Sequence, residues 1–152
     1  MSQLQSTSRP KKTKTVVIAV KSESGFYRQV KSAAQKITPK LLLTRIENSV
    51  SGGIPDFLIC DGEGKFHFVE LKFVKSGNVV NLLPSQVSWL TRHKAGSVWV
   101  LVKKHGDPAE CFLYRGGDAV ALRMDGLSEV EPVHHCLEPF DWPKIFNLIT
   151  SE

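Results

Sequence analysis

The chain has 152 residues, a length ordinary for one domain and long enough to bury a core without a disulfide or metal staple. Hydrophobic residues make up 41% and charged residues 23%, which excludes wholesale disorder, and no apolar run approaches the roughly 20 residues of a membrane span. The formal charge of +5 points mildly toward a polyanionic partner.

Residues 1–15 read as a flexible basic tail. Its segment Arg9-Pro-Lys-Lys-Thr-Lys14 concentrates positive charge, so Lys11 and Lys12 are candidate phosphate contacts, and a solvated terminus is an equally good reading. No apolar leader segment follows Met1. Cys60, Cys111 and Cys136 are odd in number and scattered, which fits reduced structural thiols. A cytoplasmic location is the resulting expectation.

Residues 16–152 read as a single domain with a core over about 22–104 and an extension over 105–152. After the apolar run Val16 to Val20, Ser22 or Ser24 can cap a helix whose apolar residues Phe26, Val30, Ala33, Ala34 and Ile37 recur at helical spacing until Pro39. Leu41 to Arg45 is expected to be extended. Ser51-Gly-Gly53 breaks the chain before a short buried strand, Ile54 to Cys60, and Asp61-Gly-Glu-Gly64 reads as a hairpin turn. The partner strand, Lys65 to Lys75, places His67, Val69, Leu71 and Phe73 on one face and Phe68, Glu70, Lys72 and Val74 on the other.

Pro84 and Ser85 open a second helix, with Val87 and Leu90 inward and Gly96 as its stop, and Ser97 to Val102 forms a further strand. A strand-helix-strand unit implies a mixed α/β sheet. Farther on, Cys111 to Tyr114 and Ala119 to Leu122 flank Arg115-Gly-Gly-Asp118 and are expected to pair as a second hairpin. Asp141 can cap a closing helix with Pro143 in its first turn. No internal repeat or low-complexity tract is visible.

Glu70 and Lys72 interrupt an otherwise apolar strand face, about 7 Å apart at ~3.4 Å per residue, and buried ions are costly unless something pairs them. The proposed hairpin register brings Asp56 beside Glu70, converging two carboxylates and an ammonium. Hard oxygen ligands of this kind suit Mg²⁺, which commonly uses only one or two protein carboxylates plus phosphate oxygens. Such an ion can activate water and clamp a phosphodiester. The competing reading is an intrastrand Glu70–Lys72 salt bridge at a sheet edge, with Asp56 merely following a proline. His134, His135 and Cys136 can bind metals, but adjacent strand residues face opposite ways and no second ligand pair has zinc spacing, so no zinc site is expected. Arg45 and Lys75, flanking the hairpin, are better candidates for phosphate contacts than Arg92, His93 and Lys94.

Gly52-Gly-Ile-Pro-Asp56, then Val69-Glu-Leu-Lys72, then Leu83-Pro-Ser-Gln86 followed by Trp89-Leu90, resembles the PD-(D/E)xK nuclease superfamily, most closely its VRR-NUC branch, over about residues 22–104. The resemblance implies a restriction-endonuclease-like mixed β-sheet flanked by helices, here carrying a C-terminal hairpin and helix extension. It implies Asp56, Glu70 and the main-chain carbonyl of Leu71 as metal ligands, Lys72 as the catalytic lysine, and Gln86 leaning into the site, with plain helix capping as the alternative for Gln86. A first-helix glutamate often joins the metal in these families; Glu23 is the best-placed candidate and Glu47 its rival. The implied cofactor is Mg²⁺, with Mn²⁺ able to substitute. Small members resembling Holliday junction resolvases cut branched DNA as homodimers, which sets that substrate and assembly as the expectation. The alternatives are a general or nicking DNA nuclease of phage or mobile-element type, and a non-catalytic nucleic-acid-binding module.

Overall fold

The protein is seen in a computed structural model that describes residues 22–37, 40–47 and 52–151. Lys11, Lys12, the apolar run Val16 to Val20, Pro39 and Ser51 lie outside the described residues.

Helix α1 spans Glu23–Lys36, and Ser22 caps it by accepting the Gly25 N–H at 3.2 Å. Its apolar residues recur every three or four positions, so Phe26, Val30 and Ala34 form one buried stripe. Strands β1 (Leu42–Arg45), β2 (Phe57–Cys60) and β3 (Phe66–Val74) follow as an antiparallel meander. The β2–β3 turn is held by Asp61, whose carboxylate accepts the N–H groups of Glu63 and Lys65. The β2 strand begins three residues later than its apolar run suggests. Pro55 has no N–H for the ladder, so Asp56 stands just before the strand.

Helix α2 (Pro84–Arg92) crosses to β4 (Val98–Lys104), which pairs in parallel with β3. The helix ends earlier than the expected stop at Gly96, with His93 as its C-cap. Strand β5 (Glu110–Arg115) then pairs antiparallel with β4, and β6 (His134–Leu137) with β5. The result is a mixed sheet in the order β1-β2-β3-β4-β5-β6, flanked by helices on both faces, an α/β fold.

The expected pairing of Cys111–Tyr114 with Ala119–Leu122 does not occur. A 3₁₀ turn over Gly116–Asp118 leads straight into helix α3 (Ala119–Asp125), and the strand across from β5 is β6. Ala, Leu, Arg and Met favour helix, and Ala119 and Leu122, three residues apart, face inward while Val120 and Met124 stay exposed. A four-residue apolar run does not separate strand from helix by itself. In β6, His135 stacks on Phe112 and meets Glu110 at 3.1 Å, while Cys136 faces Cys111 in the ladder. The ladder thus brings together two cysteines that are far apart in sequence.

Helix α4 (Trp142–Thr150) is capped by Asp141, which accepts the Lys144 N–H at 3.2 Å. One core lies between the sheet and α1 and α4, built from Phe26, Phe57, Ile59, Leu71, Leu101 and Phe146. The other lies on the α2 and α3 face, built from Leu90, Val100, Val102, Tyr114 and Leu122. β4 is buried on both faces because it is central, which is why its sequence is continuously apolar. The extension therefore shares both cores with residues 22–104. A buried polar chain ties its end to the hairpin: His67 contacts Asp61 at 2.8 Å and Ser97 at 2.5 Å, and the Ser97 hydroxyl donates to the Ile149 carbonyl at 3.3 Å.

The 52–56 loop meets the start of α2 at Gly53, whose φ is +96° and where any Cβ would collide with the Ser85 carbonyl. Gly53→Ala should cost about 2 kcal/mol or more of stability, measured by urea unfolding. Gly64→Ala, at φ +79° but with open space around it, should cost roughly 1 kcal/mol.

Candidate active site

The site forms where β2 begins against the middle of β3. Phe57 lies across from Val69, so continuing the antiparallel register places Asp56 across from Glu70. The expected convergence is present. Asp56 accepts the Leu71 N–H at 2.7 Å, occupying a position where a strand partner would otherwise bond. Across from Leu71 the register meets Pro55, which has no N–H to offer, and a strand residue's carbonyl leaves on the same side as its N–H. The Leu71 carbonyl therefore emerges at the Asp56 edge.

Lys72 Nζ stands 3.4 Å from Glu70 Oε1 and 3.7 Å from Glu23 Oε1. The salt bridge of the competing reading thus exists, but not at a sheet edge. β3 is interior to the sheet, Glu70 is 1% exposed and Lys72 7%. A buried pair of this kind is weak as a stabilising device, because desolvation offsets most of the Coulombic gain.

Gln86 makes both kinds of contact weighed for it, to the helix start and to Glu70. Its Oε1 accepts the Leu83 N–H at 2.9 Å and caps α2, while its Nε2 donates to Glu70 Oε1 at 2.7 Å. One amide therefore fixes the helix start and the glutamate together. The first turn of α2 has Pro84 at its beginning and no acidic side chain, so its positive end faces this region without internal compensation.

Burial pushes the Glu70 carboxyl up from 4.5 to about 8, the neighbouring Asp56 charge adds to the rise, and Lys72 opposes it. Burial also raises Asp56, against the lowering effects of the Leu71 N–H, Lys72, Glu70 and Arg45. Both shifts have the same sign. Two adjacent carboxyls that resist ionisation beside a single lysine mark a place short of positive charge.

Asp56 and Leu71 line a small cavity of about 50 Å³ together with Glu23, Ser24, Tyr27 and Arg45. Glu23 is half-exposed and reaches toward Lys72, whereas Glu47 is exposed and outside this group. Among the described residues no cluster of three or more His, Cys, Asp or Glu side chains could enclose a metal. The donor set is therefore two carboxylates and a strand carbonyl. That set fits Mg²⁺, which keeps waters and substrate oxygens in its remaining positions, and does not fit an all-protein cage.

Arg45 lies over the Tyr27 ring at 5.0 Å and is held at the cavity wall, whereas Lys75 is exposed just past the end of β3. Arg92, His93 and Lys94 are exposed around the far end of α2. Tyr27 was not singled out from the sequence. It follows Glu23 by four residues, so it shares that helix face, and this spacing is the signal that could have found it.

Because Glu70 is raised in the folded state, the folded protein holds its proton more tightly than the unfolded chain does. The associated stability is fully present below about 4.5 and is lost as pH rises through about 8. Glu70→Gln lacks that loss. Without metal, the variant should gain on the native protein by on the order of 4 kcal/mol between pH 5 and pH 9, read as a widening difference in thermal midpoint. A constant difference across that range would contradict the buried, proton-retaining carboxyl.

No protein-family model matches this chain, and no curated protein matches it. Among solved structures it is similar to Hjc, a Holliday junction resolvase from the archaeal hyperthermophile Archaeoglobus fulgidus, with 16% sequence identity. The match covers 77% of this chain and 86% of that chain at a TM-score of 0.43.

Proposed function

We propose that the protein is a Mg²⁺-dependent endonuclease that hydrolyses DNA phosphodiester bonds. The observation that carries this reading is the convergence of Asp56 and Glu70 from two strands beside Lys72, with both carboxyls raised. A divalent cation held there would supply positive charge beside the two carboxyls.

Asp56, Glu70 and the Leu71 carbonyl would hold the ion, with Glu23 at the cavity rim as a further oxygen donor. The bound ion would supply Lewis-acid activation of water and of the scissile phosphate. Lys72 brings a fixed positive charge to the phosphate as negative charge builds on its oxygens, in a nearly dry position where that charge acts strongly. Gln86 is a positioning residue: its donated N–H holds one Glu70 oxygen and leaves the other free to turn toward Asp56. Arg45, braced on Tyr27, and exposed Lys75 would contact flanking phosphates, with Lys11 and Lys12 of the basic tail adding further contacts.

Branched DNA is the substrate that the motif resemblance favours, cut by a homodimer whose two sites address two strands.

Cleavage of a four-way junction, a linear duplex and a single strand should be compared in Mg²⁺, in Mn²⁺ and in EDTA. Paired symmetric cuts in the junction are expected; uniform cutting of all three would indicate a general nuclease, and binding without cutting would overturn the enzyme. Glu70→Gln and Lys72→Ala should each slow cleavage at least about a hundredfold while largely retaining DNA binding, which draws on peripheral cations. Independently of activity, Mg²⁺ at pH 7 should raise the thermal midpoint of the native protein and not of Asp56→Asn. Equal midpoint gains in both proteins would remove Asp56 from the metal site.

A further inference from the structure

A second concavity, of about 450 Å³, opens where β3 and β4 begin and the last turn of α2 ends. Its walls are aromatic: Phe66 and Phe68 from β3, Trp89 and His93 from α2, over a floor at Val98. Phe68 and Trp89 lie 5.4 Å apart and tilted, while Trp89 and His93 are stacked at 3.9 Å. The His93 ring is held there by its Nδ1 contact to the Trp89 carbonyl at 2.7 Å. Phe66 is 61% exposed, an unusual cost for a ring unless something covers it.

Two features of the groove indicate the occupant. Among the described residues no carboxylate lines the groove, and exposed Arg92 and Lys94 flank His93, so the surroundings attract a polyanion. The groove also shares two elements, β3 and α2, with the candidate metal site. Phe66 and Phe68 share the strand face of Glu70, with Phe68 about 7 Å away along β3, and the helix whose first turn carries Gln86 delivers His93 about 10 Å farther on. A strand whose phosphate sat at Asp56 and Glu70 would have these rings within reach along the same strand and helix.

We propose that this groove receives an unpaired nucleobase from the strand held at the metal site. The inference rests on the nuclease reading and refines it: a base engaged in a duplex has no free face to offer, so the groove selects DNA with an unpaired nucleotide beside the scissile bond. Phe68, Trp89 and His93 are held by their mutual packing, so little ordering of these rings is required on binding. Flat π-faces accept any base, and the contact therefore recognises DNA shape rather than sequence.

The test uses two branched duplexes that differ at one unpaired position, one carrying thymine and the other an abasic site, with binding measured in EDTA. The native protein should bind the thymine probe about tenfold more tightly. In Phe66→Ala and in Trp89→Ala that preference should fall to about twofold or less. Phe66 stands at the surface, so its variant reports even if loss of Trp89 unfolds α2. Equal affinity for the two probes in the native protein, or a preference kept in both variants, overturns the subsite. So does an unchanged preference accompanied by a shift from dimer to monomer in Phe66→Ala, which assigns the rings to a contact between copies. Failure of the native protein to bind either probe overturns the nucleic-acid reading itself, and the subsite with it.

Discussion

The constraint on which the rest of this structure depends is the desolvation of two carboxyls held side by side at the middle of a sheet. Asp56 and Glu70 arrive from different strands, and burial raises both. Three polar groups around them offset part of that cost, while Glu23 adds to it at Glu70. Leu71 gives its N–H to Asp56, Gln86 its amide to Glu70, and Lys72 its charge to Glu70. The compensation stops short of neutralising the site. Burial outweighs it, so both carboxyls stay raised.

Helix α2 is organised around the same problem. Pro84 starts it, Gln86 ties its first turn to Glu70, and Gly53 allows the loop carrying Asp56 to lie against Ser85. The loop, the helix start and the buried glutamate therefore form one mechanical unit. Because that turn carries no acidic side chain, the helix also presents its positive end to whatever anion enters. From there the helix runs on to Trp89 and His93, joining the charged site to an aromatic surface.

Much of this arrangement was legible in the chain. Period-two alternation placed Glu70 and Lys72 on one face of β3, the Asp61-Gly-Glu-Gly64 turn set the register that carries Asp56 to Glu70, and Ser22 and Asp141 announced their helices. These are local signals, set by backbone geometry within a few residues. Ala119 to Leu122 was misread as a strand because a short apolar run fits either period, and only its packing against the α2 side of the sheet selects helix. β6 was missed for the opposite reason. His134 and His135 show no apolar alternation, and the strand exists because β5 offers it a free edge.

The sequence by itself determined which residues stand out as candidates, since a carboxylate and an ammonium on a buried strand face must be either paired or functional wherever the strand lies. The tertiary structure decided how completely they are paired. It set the depth that raises Asp56 and Glu70, turned Glu23 toward Lys72 at the rim, and gave Gln86 two simultaneous bonds. It also assembled the rings of Phe66, Phe68, Trp89 and His93 into one groove. Burial and long-range contact depend on elements far apart in the chain, and local residue order encodes neither.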